Sequence, residues 1–233
     1  MQPDSSGPVP VSDAATPAPR TVDYDWMAVA TWQAMHVAHE AIAQRGGVDL
    51  LFVGDSLTAG WAGNEGVEWK AHFAPWGAAN FGIGGDTTQN LLWRLDHGAV
   101  GVLRPKVVVL LIGINNLGRE NATPEAAGRG IRAVVAKLRG AFPEARILLH
   151  GIFPCDHSPA AEIRQRVAAV NRQLLALDSE GGRIVVRDIG GIFLEADGSV
   201  SAEVMPDGLH LSPEGYRRWA VAIMPTLREW LGR

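Results

Sequence analysis

The sequence predicts an α/β fold in which a parallel sheet is covered by helices on both faces. From about residue 25 onward, short apolar segments alternate with segments whose apolar residues recur at helical spacing. Three of the apolar segments are nearly continuous, as expected for strands that are buried on both faces. Strands that alternate with helices are typical of parallel sheets with right-handed crossovers. We therefore expect one three-layer α/β domain over residues 21–233.

Five segments are predicted to be strands because each is short, mostly apolar or β-branched, and bounded by Gly, Pro or polar residues: Asp49–Val53, Ala79–Ile83, Lys106–Ile112, Ala145–His150 and Arg183–Asp188. Helical periodicity predicts helices around 131–138 and 163–177, and further helices over Asn64–Phe73 and Thr87–Leu95. A last helix, with apolar residues from Tyr216 to Trp230 on one face, begins at Ser212 as N-cap with Pro213 in its first turn.

The first twenty residues differ in composition from the rest of the chain. They contain five of the 14 prolines, with Ser, Ala, Thr and Asp between them. Such a composition buries too little apolar surface to offset the entropy of ordering, so residues 1–20 are predicted to be a flexible tail. The segment lacks the basic start and apolar run of a signal peptide. Because Pro/Ser/Ala stretches often follow a cleaved signal, export to the periplasm is favoured, with the cytoplasm as the alternative.

Charge and composition exclude several classes of function. There are 21 basic and 25 acidic residues, a net charge of −4, whereas nucleic-acid binding needs clustered Lys and Arg. The longest apolar run, Val107–Ile112, is far shorter than the ~20 residues of a membrane span. The single cysteine, Cys155, can form neither an intrachain disulfide nor a zinc–thiolate site alone. His36 and His39 lack a third ligand at suitable spacing, so no metal site is expected.

Ligands of parallel sheets bind outside the carboxyl ends of the strands, and three predicted strand ends carry chemically useful groups. Ser56 follows the first strand, and Gly54 allows a tight turn that presents its hydroxyl at the sheet edge. The glycine-rich segment Gly82–Thr87 follows the second strand, and its backbone N–H groups can approach a ligand. Asn115 follows the third strand and offers a neutral amide donor. Taken singly, each segment also fits an ordinary turn, and the glycine segment also fits a phosphate cradle.

Asp207 and His210 lie three positions apart just before the last helix. The carboxylate can hold the imidazole and fix its tautomer, which leaves the other ring nitrogen as a general base. By itself such a pair also fits a local surface hydrogen bond. Together with Ser56, it predicts a nucleophile and its base at one edge of the sheet.

Four blocks, in order along the chain, resemble the motifs of the SGNH (GDSL-type) esterases and lipases: Gly54–Leu57, Gly82–Gly85, Gly113–Asn115 and Asp207–His210. The longer strings Asn80–Thr88, Leu92–Leu95 and His210–Ser212 are similar to the catalytic subunits of the platelet-activating-factor acetylhydrolase Ib branch. Asn116 stands where many members have Asp, as it does in that branch. The resemblance extends over roughly residues 49–231.

The resemblance implies a flavodoxin-like fold with five parallel strands in the order 2-1-3-4-5. It implies Ser56 as the nucleophile, His210 as the general base and Asp207 as the acid that orients it. The implied oxyanion hole consists of the backbone N–H groups of Ser56 and Gly85 and the side-chain amide of Asn115. No cofactor and no metal are implied, and a homodimer is suggested.

The implied activity is hydrolysis of short-chain, acetyl-type carboxylic esters through an acyl-enzyme. A carbohydrate O-acetyl group is an alternative substrate, because Trp61, Trp69 and Trp76 follow the serine block and tryptophan rings stack on sugars. Two readings from other classes remain. One is a non-catalytic binding module on the same fold, and the other is a flavodoxin-like nucleotide or flavin binder.

Overall fold

A five-stranded parallel sheet forms the centre of the molecule. The computed structural model describes residues 13–62, 66–178 and 182–233. The strands lie in the order β2-β1-β3-β4-β5, which confirms the expected order. Their bounds, each within one residue of the prediction, are Leu50–Gly54 (β1), Ala78–Gly82 (β2), Val107–Leu111 (β3), Arg146–His150 (β4) and Ile184–Arg187 (β5).

The register of the sheet aligns the carboxyl ends of three strands. Gly54, the last residue of β1, pairs with Gly82 of β2 on one side and with Leu111 of β3 on the other. The segments that follow these strands therefore leave the sheet side by side. This alignment brings the serine block, the glycine segment and the asparagine block to one edge.

Seven α-helices of the described chain connect and flank the strands: Val29–Arg45 (α1), Ser56–Ala59 (α2), Thr88–Asp96 (α3), Ile114–Gly118 (α4), Pro124–Ala141 (α5), Glu162–Leu174 (α6) and Pro213–Leu231 (α7). Ser212 caps α7 by accepting a hydrogen bond from the Gly215 N–H, as predicted. None of these helices is both long and apolar enough to cross a membrane.

Two apolar cores lie on opposite faces of the sheet. Leu51 and Val53 of β1 point into a core formed with α3, α5 and α6. Leu50 and Phe52 point the other way, into a core that contains Trp61 and the apolar face of α7. Since neighbouring residues of one strand enter different cores, β1 is buried on both faces, which explains its continuous apolar sequence.

The helix predicted over Asn64–Phe73 is only partly present. Residues 63–65 lie outside the described part of the chain. Beyond them, Trp69–Phe73 forms a π-helical turn and Ala74–Trp76 a 3-10 turn. The rings of Trp69 and Phe73 both contact Phe52 of the sheet, with centroids 5.2 and 5.0 Å away. A π-helical turn is wider than an α-helical one, which allows the rings of both residues to face the sheet. The packing of these rings on Phe52 therefore determines the backbone conformation of this segment.

The N-terminal segment lies against α3 from residue 13 onward, whereas residues 1–12 fall outside the described chain. The Thr88 hydroxyl donates to the carbonyl of Ala14 at 2.7 Å, and the Asn90 amide donates to the carbonyl of Ala18 at 3.0 Å. Ala14 and Arg20 are buried. The structure therefore differs from the predicted flexible tail over residues 13–20. Polar side chains of α3 hold this backbone, an interaction that composition does not reveal.

Candidate active site

Ser56 lies at the carboxyl end of β1 and begins the short helix α2. Asp55 caps this helix, since its Oδ1 accepts a hydrogen bond from the Leu57 N–H at 3.0 Å. Gly54 permits the turn because a Cβ at that position would collide with the carbonyl oxygen of Leu111. Ser56 itself is only half-buried, so its hydroxyl is accessible to a small molecule.

The side chains of Ser56, His210 and Asp207 form a hydrogen-bonded chain. Nε2 of His210 lies 3.0 Å from Oγ of Ser56, and Nδ1 of the same ring lies 2.6 Å from Oδ2 of Asp207. With a proton on Nδ1, the ring donates to the carboxylate and leaves Nε2 to accept the serine proton. This is the relative placement of nucleophile, base and orienting acid that acyl transfer uses.

Asp207 is fixed by the backbone of its own turn. Its Oδ1 accepts hydrogen bonds from the N–H groups of Leu209 at 3.0 Å and of His210 at 2.7 Å. Partial burial raises the pKa of Asp207, but the hydrogen bonds from the His210 ring and from these two N–H groups outweigh it and lower the pKa to about 2. The carboxylate is therefore ionised at neutral pH and faces the imidazole.

Three N–H groups at this edge are suited to binding an oxyanion. They are the backbone N–H groups of Ser56 and Gly85 and the side-chain amide of Asn115. Within the described chain, neither backbone N–H has a hydrogen-bond acceptor. The Asn115 amide donates one hydrogen to the carbonyl of Asp86 at 3.0 Å, which orients the group and leaves its second hydrogen for a ligand.

The glycine segment forms a β-turn over Ile83–Asp86. The Asp86 N–H donates to the Ile83 carbonyl at 3.2 Å, and Gly85 has a φ of 73°, which identifies a type II turn. The Ile83 N–H donates to the carbonyl of Gly54 at 3.2 Å and so ties the turn to the end of β1. A side chain at Gly85 would be strained at this φ and would strike the ring of Trp26.

A buried ionic network lies beneath this turn. Asp86 accepts hydrogen bonds from Nε of Arg94 at 2.8 Å and from the Trp32 indole at 2.6 Å. Arg94 is fully buried and also donates to the carbonyls of Phe81 at 3.1 Å and Gly54 at 3.4 Å. One guanidinium therefore connects the end of β1, the end of β2 and the turn that carries Gly85.

Asp55 is adjacent to Ser56 in sequence but lies outside the hydrogen-bonded chain. It is fully buried, and burial raises its pKa to about 7. Its Oδ2 has no hydrogen-bond partner within the described chain. These observations fit a residue that supports the serine turn.

Of the three tryptophans considered for sugar stacking, Trp61 belongs to the core, and Trp69 and Trp76 pack against it. Trp61 is buried against Trp219, with ring centroids 4.7 Å apart, and Trp69 and Trp76 are half-buried beside Phe73. Burial therefore removes Trp61 from a sugar-stacking role, whereas Trp69 and Trp76 are only partly buried.

Two residues beside the glycine turn were not identified from the sequence, Arg20 and Trp26. The Trp26 indole lies against Gly84 and Gly85 and is 54% exposed. Arg20 donates to the carbonyl of Gly84 at 2.6 Å. Both belong to a segment without apolar periodicity. The only sequence signal that could have pointed to this segment was its pair of aromatic residues, Tyr24 and Trp26.

His36 and His39 have packing roles. The His39 ring stacks on Phe81 with centroids 4.6 Å apart, and the His36 ring contacts Trp93 at 5.1 Å. Burial lowers the pKa of His39 to about 3, so it is neutral over the physiological range. Across the described residues, no three His, Cys, Asp or Glu side chains are arranged to hold a metal ion.

Known proteins resemble this chain in sequence and in fold. The sequence profile of the GDSL-like lipase/acylhydrolase family matches residues 52–218. The alpha2 subunit of platelet-activating factor acetylhydrolase IB from Rattus norvegicus is 40% identical over 170 residues, which cover 73% of this chain and 72% of that protein.

Two solved structures share the fold at low sequence identity. A GDSL-like lipase from Bacteroides thetaiotaomicron superposes with a TM-score of 0.69 at 17% identity, covering 86% of this chain and 98% of that chain. A catalytic mutant of an acetylxylan esterase from Geobacillus stearothermophilus gives a TM-score of 0.62 at 19% identity, covering 80% and 95% of the two chains. The segment that the family profile matches covers well over half of the sequence and includes all four motif blocks of this chain. This chain therefore belongs to the GDSL-like lipase/acylhydrolase family.

Proposed function

We propose that this protein hydrolyses short-chain, acetyl-type carboxylic esters through an acyl-enzyme on Ser56. The observation that carries the proposal is the chain of hydrogen bonds from Ser56 through His210 to Asp207, 3.0 and 2.6 Å long. A serine hydroxyl is a weak nucleophile at neutral pH and needs an adjacent base held in the correct tautomer. The acyl chain is proposed to be short because two of the similar proteins are named for acetyl esters, an acetylhydrolase subunit and an acetylxylan esterase.

In the first half of the reaction, Nε2 of His210 takes the proton of Ser56 as Oγ forms a bond to the ester carbonyl carbon. The carbonyl π electrons move to oxygen, and Ser56, Gly85 and Asn115 donate hydrogen bonds to the resulting oxyanion. When the intermediate collapses, the bond to the alcohol oxygen breaks and His210 returns the proton to that oxygen. The products are the free alcohol and an acyl group on Ser56.

In the second half, water replaces the serine hydroxyl as the nucleophile. His210 takes a proton from water as the water oxygen attacks the acyl carbon, and the same donors hold the second oxyanion. Collapse releases the carboxylic acid and returns the proton to Ser56. Asp207 stays ionised throughout and stabilises the imidazolium that forms in each half.

The proposal is tested by hydrolysis of p-nitrophenyl esters from acetate to palmitate. We expect activity that falls steeply beyond butyrate and is abolished in Ser56→Ala. Ser199→Ala, which alters a serine that no step of the mechanism uses, serves as the matched control and should equal wild type. Well-folded wild-type protein that hydrolyses none of the esters would overturn the proposal and favour a non-catalytic binding module.

A carbohydrate O-acetyl ester is the second candidate substrate. The observation that favours it is the Trp26 indole, 54% exposed and in contact with the turn that carries Gly85. An exposed aromatic face beside the reacting ester suits the apolar face of a sugar. Acetylated xylan should then be cleaved with a kcat/KM that falls in Trp26→Ala, while p-nitrophenyl acetate hydrolysis is retained. An equal loss on both substrates would argue against a sugar-binding role.

A homodimer is proposed from the likeness to the acetylhydrolase subunits. Size-exclusion chromatography with light scattering measures the mass directly, against 24.9 kDa for one chain. A monomer at micromolar concentration would contradict this part of the proposal.

A further inference from the structure

We infer that Arg20 is a positioning residue of the oxyanion hole. By binding the Gly84 carbonyl, Arg20 fixes the direction of the Gly85 N–H. The inference rests on the proposed function, because it assigns the Gly85 N–H a role in ester hydrolysis. Arg20 lies outside the segment matched by the family profile, residues 52–218. It also belongs to the stretch that sequence composition placed in a flexible tail.

The contact is short and buried. An Arg20 terminal nitrogen donates to the Gly84 carbonyl oxygen at 2.6 Å, and Arg20 is only 4% exposed. The Gly84 carbonyl and the Gly85 N–H belong to the same planar trans peptide, in which the two groups point in opposite directions. Fixing the carbonyl on the guanidinium side therefore fixes the N–H on the opposite side, where it has no acceptor within the described chain.

The turn needs such a restraint because of its sequence. Types I and II differ by a rotation of about half a turn of the central peptide, which here joins Gly84 to Gly85. Glycine enters both backbone forms at little cost, so a Gly-Gly turn has weak intrinsic preference between them. The closing hydrogen bond from Asp86 to Ile83 is common to both types and does not select one. In the type I form the carbonyl of Gly84 would face the oxyanion in place of the Gly85 N–H.

Arg20 is itself held on several sides before any substrate binds. Its guanidinium lies 3.5 Å from the Asp86 carboxylate and 4.6 Å from the centre of the Tyr24 ring. Asp86 is held in turn by Arg94 and Trp32. A donor fixed in this way needs no rearrangement during the reaction. Its positive charge also polarises the Gly84–Gly85 peptide, which strengthens the N–H as a donor.

The test compares Arg20→Met with Arg119→Met. Methionine keeps an apolar stem beside Tyr24 and removes every N–H. Arg119 also stacks on Tyr24, at 4.1 Å, but donates no hydrogen bond to the glycine turn. We expect kcat for p-nitrophenyl acetate to fall about 10²-fold in Arg20→Met with KM changed less than about threefold, because an oxyanion donor acts in the transition state. Arg119→Met should stay within about threefold of wild type in both constants.

A crystal structure of Arg20→Met supplies a readout that does not depend on activity. The Gly84–Gly85 peptide should be rotated or present in two orientations, whereas wild type has one. Arg20→Lys, which keeps the cation beside Asp86 but not the planar donor array, should give an intermediate kcat. The inference is overturned if Arg20→Met keeps both the wild-type kcat and the single peptide orientation. It is also overturned if the loss of activity comes from KM and not from kcat, or if neither Arg20→Met nor Arg20→Lys folds. Inactive wild-type protein would overturn the proposed function instead, and the peptide orientation would still decide the role of Arg20.

Discussion

His210 and Ser56 are separated by 154 positions in the sequence, yet Nε2 of the histidine lies 3.0 Å from Oγ of the serine. Ser56 is placed by the end of β1, a central strand, and His210 by the turn that precedes α7. The apolar face of α7 packs on the same core as β1, through Trp219 and Phe52 among others. Burial of that face therefore sets the distance between the proposed nucleophile and its proposed base, so their placement depends on the fold of the whole sheet.

Replacing Asp207 by Asn tests the orientation of the imidazole. The amide has nearly the same shape, but its NH₂ group can face Nδ1 only if the ring adopts the wrong tautomer. We expect kcat to fall by about 10²–10⁴ with little change in KM. Steady-state kinetics measure this, and Asp197→Asn, at an exposed turn where the carboxylate caps Ser199, is the matched control. Equal rates in Asp207→Asn and the control would contradict the role of Asp207.

The strands, and the meeting of Ser56, Asp207 and His210 at one edge of the sheet, could be predicted from the sequence for a physical reason. Strands buried on both faces must be apolar throughout, so β1 and β3 are visible as continuous runs. Two residues beyond the end of β1 the chain has Ser56, and within four residues of the end of β3 it has Gly113 and Asn115, because a tight turn and a polar group are both required there. Local sequence carries both requirements.

The contribution of the N-terminal segment could not be predicted from composition. Ala14 and Ala18 are held through their backbone carbonyls by Thr88 and Asn90, so their own side chains carry no signal. Arg20 is buried and donates hydrogen bonds to the Gly84 carbonyl and the Asp86 carboxylate, which lie more than sixty positions away in the sequence. Long-range polar contacts of this kind leave no periodicity in the sequence, and Pro- and Ala-rich composition then suggests a tail.

Removing the side-chain amide of Asn115 should weaken the proposed oxyanion hole. We expect Asn115→Ala to lower kcat by about 10²–10³ while the fold is retained, since one of three donors is lost. The affinity for a boronic acid that forms a tetrahedral adduct on Ser56 should fall in parallel. Affinity for the product carboxylate should change little, because its planar group does not reproduce the transition-state charge. An unchanged boronate affinity would remove Asn115 from the oxyanion hole.

Replacing Arg94 by Met should destabilise the protein more than the same replacement at a surface arginine would. The change leaves the buried Asp86 carboxylate without its closest cation, and it leaves the carbonyls of Phe81 and Gly54 without this donor. Breaking a buried ion pair in this way costs about 3–5 kcal/mol in the free energy of unfolding. Urea denaturation measures the loss against Arg217→Met, whose exposed pair with Glu214 should contribute far less to the free energy of unfolding. Similar losses in both variants would show that the network beneath the turn is dispensable.

Asp55 should make stability fall as pH rises toward neutrality. Its pKa is about 7 in the folded protein and near 3.8 when exposed, because burial disfavours the charged form. Between these values the folded state binds more protons than the unfolded state, so stability is greatest at low pH and declines up to about pH 7.

Asn is neutral at every pH, so Asp55→Asn should remove this pH dependence. The free energy of unfolding of Asp55→Asn relative to wild type should therefore increase by up to ~4 kcal/mol between pH 4 and 8. Asp49→Asn, at a partly exposed carboxylate before the same strand, is the control. A difference from wild type that is the same at both pH values would mean that Asp55 is already ionised in the folded protein.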